Sequence, residues 1–358
     1  MNGMKDNKEQ SILPHPAKRE RQWITPLKVV YTVLLLTVML VIIALISLSL
    51  GPAKISLKDI FTWLIGYNTI DQTAWMILFK IRLPRILLAG LVGFTLSLGG
   101  VVFQALLRNP LAEPFILGIS SGAAVGAIIG IFFGLGFTFG VPLLSFMGAL
   151  FTVLLVMGIS SRHGGLESST LLLTGVIINA FFTAVIMFFI ATTSDSRLHS
   201  MLFWLYGDLS QSKYVQLSIG LPFILIVSGI IYIFSRHFNL IVGGEESALQ
   251  MGVEVELLKW ISFLGISLII GIAVSFSGII GFVGLIVPHL MRMILGSDHR
   301  LLIPASSLGG AIFLIAADTL ARTIISPSEL PVGVITAFLG APFFIYLLKS
   351  RGSQWTQT

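Results

Sequence analysis

Side chains able to do covalent or metal chemistry are sparse in this chain. It contains no cysteine, which excludes disulfides, thiolate metal sites and cysteine nucleophiles. The six histidines, at 15, 163, 199, 237, 289 and 299, never form an H-E-x-x-H pattern and read as helix-end or interfacial residues, so no metal site is expected. No lysine follows a glycine, so the phosphate-binding loop ending in Gly-Lys-Ser/Thr is absent and the chain is not a P-loop ATPase by itself. Asp318 is the only carboxylate inside a predicted membrane span, where an acid is by default a candidate for proton or ion coupling. Arg322 lies four residues on, on the same helix face, and a local ion pair is the reading preferred over proton coupling.

Two further groups carry charge in a pattern. Between Arg236 and Lys259 runs FNLIVGGEESALQMGVEVELL, in which Gly243 and Gly244 precede a short helical stretch and Gly252 can end it. Glu245 and Glu246 suit the positive end of that helix. A short helix held between glycines can dock into another protein, and an ordinary loop helix with a solvated face would look the same. Lys80, Arg82 and Arg85 crowd one stretch that the span model puts outside, where the positive-inside trend would not place them.

The elements that must position these groups are membrane helices. Of the 358 residues, 55% are hydrophobic and only 11% charged, against about 45–50% and about 25% in soluble domains. An ordinary soluble enzyme is thereby excluded. Apolar runs between polar breaks predict ten spans near 27–50, 86–107, 115–134, 142–160, 170–191, 214–235, 260–276, 278–294, 302–320 and 331–348. The expected organisation is a basic cytoplasmic tail over 1–26, one transmembrane domain over 27–350 and a cytoplasmic tail over 351–358. The first tail precedes a long apolar run and reads as the cytoplasmic flank of a first span rather than as a nucleic-acid arm. The break near Phe276 is weak, since Ser275, Ser277 and Gly278 are its polar punctuation, which keeps nine spans as a rival.

An internal echo favours ten. GFTLSLGG from Gly93 and GIAVSFSG from Gly271 carry glycine, serine and glycine at identical offsets: Gly93, Ser97 and Gly100 against Gly271, Ser275 and Gly278. Five spans separate the two copies, and an odd number inverts the second, as in many transporters. Small-residue spacing of this kind also serves plain helix packing.

The motifs KIRLPR at 80–85, GGVVFQALLRNPLAEPFILGISSGA at 99–123, GGEESALQMG, SGIIGFVGLIVPHLMR at 277–292 and ELPVGVITAFLGAPFF at 329–344 resemble the permease subunits of bacterial ABC importers for ferric siderophores, haem and cobalamin. The resemblance covers roughly residues 27–350. It implies an all-α, ten-helix polytopic fold in the bacterial cell membrane with both termini cytoplasmic. It also implies a second permease subunit, of the same chain or a paralogue, two cytoplasmic ATPase subunits that hold ATP and Mg, and an extracytoplasmic substrate-binding protein. No cofactor is expected on this chain and no nucleic acid partner. By the resemblance, Gly243, Glu245, Glu246, Gln250 and Gly252 contact the ATPase. Asn109 and Leu111, with Ser168 and Ser169, form the cytoplasmic gate, and Glu167 departs from the small polar residues usual beside it. Arg82, Arg85 and Arg322 receive carboxylates of the binding protein. A ferric siderophore is the expected substrate, with haem or cobalamin behind it, and an ion-coupled secondary transporter using Asp318 is the rival class.

Overall fold

A computed structural model describes residues 25–51, 53, 71–115, 117–162, 165–193 and 195–351. The expected basic tail lies almost wholly outside the described residues, as does the C-terminal tail beyond Arg351. Helix α1, Pro26–Ser49, starts where Thr25 Oγ1 accepts the Lys28 amide and Pro26 occupies the first turn, which needs no N–H there. Most of its apolar side chains are exposed, as suits a lipid-facing helix.

Helix α2, Gln72–Leu106, is one continuous rod of 35 residues, capped by Asp71 Oδ1 on the Ala74 amide. The predicted start near 86 is therefore too late. The chain stays helical through Ile77–Arg82 by widening into a π-turn that ends just before Pro84, whose missing N–H leaves the ordinary ladder one donor short. Lys80, Arg82 and Arg85 thus stand on a helix rather than on an external loop.

Then follow α3 (Ile119–Phe132), α4 (Gly140–Ser160), a two-residue antiparallel pairing of β1 (Ser161–Arg162) with β2 (Gly165–Leu166), and α5 (Ser168–Thr192). Beyond them are α6 (Asp195–Leu205), α7 (Tyr214–Ile233), α8 (Ser235–Val242), α9 (Glu245–Gln250), α10 (Val255–Ser277), α11 (Val283–Leu295), α12 (His299–Thr323) and α13 (Val332–Arg351). Every predicted span falls on a helix. Among the described residues, seven helices are long and apolar enough to cross a membrane, while α3, α11 and the Val332–Tyr346 part of α13 are shorter apolar helices.

The rival reading that fuses the spans at Phe276 fails at Gly278. Its φ of +68° breaks α10, and a Cβ there would sit 2.2 Å from the Trp204 carbonyl oxygen. Residues 278–282 run without helix to Phe282, itself at φ +69°. Their neighbours supply hydrogen bonds in place of the ladder: the Ile279 amide donates to Trp204 O at 3.3 Å, and the Asp208 amide to Ser277 O at 2.8 Å.

The two halves interleave. Helix α2 packs against α11 and α12 of the second half, and α10 against α3 and α4 of the first. At the α2–α12 crossing a Cβ on Gly93 would lie 2.2 Å from the Gly310 carbonyl oxygen, so only hydrogen on both sides permits this approach. The echoed positions are not used alike, since Gly271 faces the Ala149 side chain and Gly278 turns the chain.

Candidate functional site

The charged residues collect at the two ends of the bundle, most of them on helices. At one end Gly244, with φ +128°, precedes α9, and Glu245 and Glu246 fill its first turn. Ala248 is fully buried and roots the helix. Gly252, at φ +83°, closes it: its amide donates to Leu249 O, and the Val253 amide to Ala248 O. Gly243 and Gln250 lie exposed beside it, as do the apolar side chains of Leu249 (57%) and Met251 (67%).

The arm formed by α8 and α9 is tied down at two points. Phe238 and Ile241 bury against the bundle, and Asn239 Nδ2 donates to Asp298 Oδ1 at 3.0 Å while its Oδ1 accepts the His299 amide at 2.9 Å. Partial burial pushes the Asp298 carboxyl up, but hydrogen bonds from Arg300 and Asn239, with the Arg300 charge, outweigh it and hold the group at about 2. At the other point Lys259 Nζ, in the first turns of α10, lies 2.7 Å from Glu245 Oε2.

A cleft of about 660 Å³ opens beside this arm, lined by Arg108, Glu167, Ser169, Gly244, Glu245, Glu246, Ser247 and Lys259. It joins a residue expected at the gate, Ser169, to the two glutamates expected at the ATPase contact. Glu167 lies within the same unit: its carboxylate accepts Ser169 Oγ at 2.6 Å and Thr170 Oγ1 at 2.9 Å. Asn109 and Leu111 do not line the cleft. They form a turn in which Asn109 Oδ1 accepts the Leu111 amide at 2.9 Å, with Leu111 41% exposed. The side chain of Ser168 is outside the described residues. The sequence alone assigns no role to Arg108 or Lys259, which both line the cleft. A lysine at the edge of a span, three residues after Glu256, was the available signal for a paired group.

At the opposite end the three arginines expected to face a docking partner turn inward. Arg82, Arg85 and Arg322 are only 3%, 5% and 3% exposed. Arg82 donates to Leu48 O and Ser49 O, satisfying carbonyls that end α1 without helical partners. Arg85 Nε donates to Asp318 Oδ1 at 2.9 Å, and its Nη1 to Glu329 Oε2 at 2.6 Å. Arg322 Nε lies 3.1 Å from Asp318 Oδ2 without hydrogen-bond alignment, and its Nη2 donates to Ser47 Oγ at 2.8 Å. The expected Asp318–Arg322 pair is therefore present, and Arg85 joins it. Freely presented guanidiniums are not what this geometry supplies, because charges inside an apolar bundle are held only when paired. The same pairing leaves Asp318 with a guanidinium at each oxygen, an arrangement unsuited to carrying an ion.

A helical bundle with interleaved halves, a helix broken inside it at Gly278 and a charged, glycine-bounded arm at one end defines a transmembrane permease. Residues 39–350 match the FecCD transport family, and the chain belongs to it. It is 42% identical to the cobalamin import system permease protein BtuC of Halobacterium salinarum over 79% of this chain and 76% of that one. It is 39% identical to the hemin transport system permease protein HmuU of Yersinia pestis, over 89% and 95%. Among solved structures, a metal-chelate type ABC transporter in an inward-facing conformation superposes with a TM-score of 0.78 at 34% identity, covering 90% of this chain and 99% of that one. The chain is a membrane protein, the permease subunit of an ABC importer, and membership implies a permease partner and an ATPase.

Proposed function

We propose that the chain forms, with a second copy of itself or a paralogue, the pathway for a bulky metal chelate, with a ferric siderophore as the substrate. The cleft that joins Ser169 and Glu167 at the start of α5 to Glu245 and Glu246 of α9 carries this reading, because it puts a pathway helix next to a docking arm. Exposed Leu249 and Met251 give that arm an apolar contact for the ATPase, which holds ATP and Mg. Gly243, Gln250 and Gly252 shape and border the same contact. On this reading the α9 face is cytoplasmic, and Asn109, Leu111, Ser168 and Ser169 narrow the inner exit.

The second permease subunit covers the apolar groove of about 510 Å³ between α13 and the 279–282 segment. Irregular backbone at membrane depth is not left to lipid, and Ile279, Gly281 and Phe282 line this groove. The substrate-binding protein docks at the arginine end, and a partner carboxylate reaching Arg85 there displaces Glu329, the half-exposed member of the cluster. The chelates named for the similar permeases above support a chelate substrate.

Uptake by the chain reconstituted with its ATPase and binding protein tests this. ATP-dependent uptake of a ferric siderophore, absent for haem and cobalamin, is the expected result. Transport of one of the others instead overturns the substrate. Uptake driven by a proton or sodium gradient without ATP overturns the mechanism.

A further inference from the structure

Lys259 is 6% exposed, at the floor of the cleft, and three chain segments meet on it. Its ammonium lies 2.7 Å from Glu245 Oε2 at the start of α9 and donates to Leu166 O at 3.2 Å. Glu256, one turn earlier on α10, stands 3.6 Å from the same nitrogen, and its Oε2 accepts the Leu166 amide at 2.9 Å. The first turns of α10 thus hold both backbone groups of Leu166, whose side chain is 2% exposed, two residues before α5 begins. Lys259 thereby joins α9 to the residues that lead into α5. Ammonium has three donors and no preferred fork, so it can keep contact with two moving acceptors.

We propose that Lys259 is a positioning residue through which displacement of α9 is carried to the start of α5. The inference rests on the permease reading above and deepens it. A nucleotide-driven shift of Glu245 drags the ammonium, the ammonium drags the Leu166 carbonyl, and the hairpin residues that lead into α5 follow. Glu256 keeps the strand in register with α10 while this happens. A staple that only stabilised the fold would lower stability on its removal but would not separate the movement of α5 from that of α9.

The absence of native cysteine permits clean spin labelling. Distances from Ile233→Cys at the end of α7 to Ser247→Cys beside α9, and to Leu173→Cys on α5, are measured in the complete complex with its ATPase, with and without Mg-ATP. In the otherwise unaltered chain both distances shift with nucleotide. In Lys259→Met the Ser247 distance still shifts and ATP hydrolysis continues, while the shift at Leu173 is lost; Lys259→Arg restores it. Should the methionine variant not fold, Lys259→Gln is read in the same way. A shift at Leu173 that survives the loss of the ammonium overturns the proposal and leaves the permease reading standing. A wild-type chain that neither assembles with an ATPase nor responds to Mg-ATP overturns both.

Discussion

Single side chains decide the two ends of the molecule differently. At the arginine end, Asp318 is 1% exposed and serves two guanidiniums. Breaking a buried pair by removing one partner costs about 3–5 kcal/mol, because the other charge stays buried and unmatched. Asp318→Ala is therefore expected to lower thermal stability in detergent sharply, with Arg82→Glu combined with Arg85→Glu behaving likewise rather than failing only in docking. A stable Asp318→Ala protein that has lost a gradient-driven, ATP-independent uptake shown by the unaltered chain would restore the secondary-transporter class. At the α9 end, Asp298 is held at about 2, below its ordinary 3.8. A depressed carboxyl contributes stability that is present above the unfolded value and lost as pH falls through the folded one. The stability difference between wild type and Asp298→Asn should accordingly be constant above pH about 4 and shrink towards pH about 2, as followed by thermal unfolding across that range.

Among the elements, α9 is the most sensitive to one substitution. It is six residues long, and its Ala248 amide donates to Gly244 O at 3.0 Å. Proline in a helix interior costs about 3 kcal/mol or more, more than so short a helix recovers, while the long spans are untouched. Ala248→Pro is expected to insert and assemble but to hydrolyse ATP without transport; unchanged ATP-driven uptake in that variant would remove α9 from the coupling path. The presence of this helix between its glycines was legible in GGEESALQMG, because turn and cap chemistry is local. The reach of α2 back to Gln72 was not, since a hydrophobicity pattern ends where KIRLPR begins. The helix continues there only because Leu48, Ser49, Asp318 and Glu329 give those arginines partners from elsewhere in the chain.

For the whole molecule, the testable consequence is a nucleotide-dependent exit. Cysteines placed pairwise at Asn109, Leu111, Ser168 and Ser169 in this cysteine-free chain should crosslink across the two permease subunits with a yield that changes with nucleotide state. Yields indifferent to nucleotide at all four would take these positions out of the gate. By itself the sequence determined the order of the apolar helices among the described residues, the glycine-bounded arm and the family, because hydrophobic runs and turn residues act over a few neighbouring positions. The tertiary structure alone decided that the arginines face inward, that Asp318 is shared, that the halves interleave and that Lys259 joins α9 to the entry of α5. Each of those facts is a contact between residues up to 275 positions apart. A buried charge takes whichever partner the packing brings within reach, and no local pattern records which one that is.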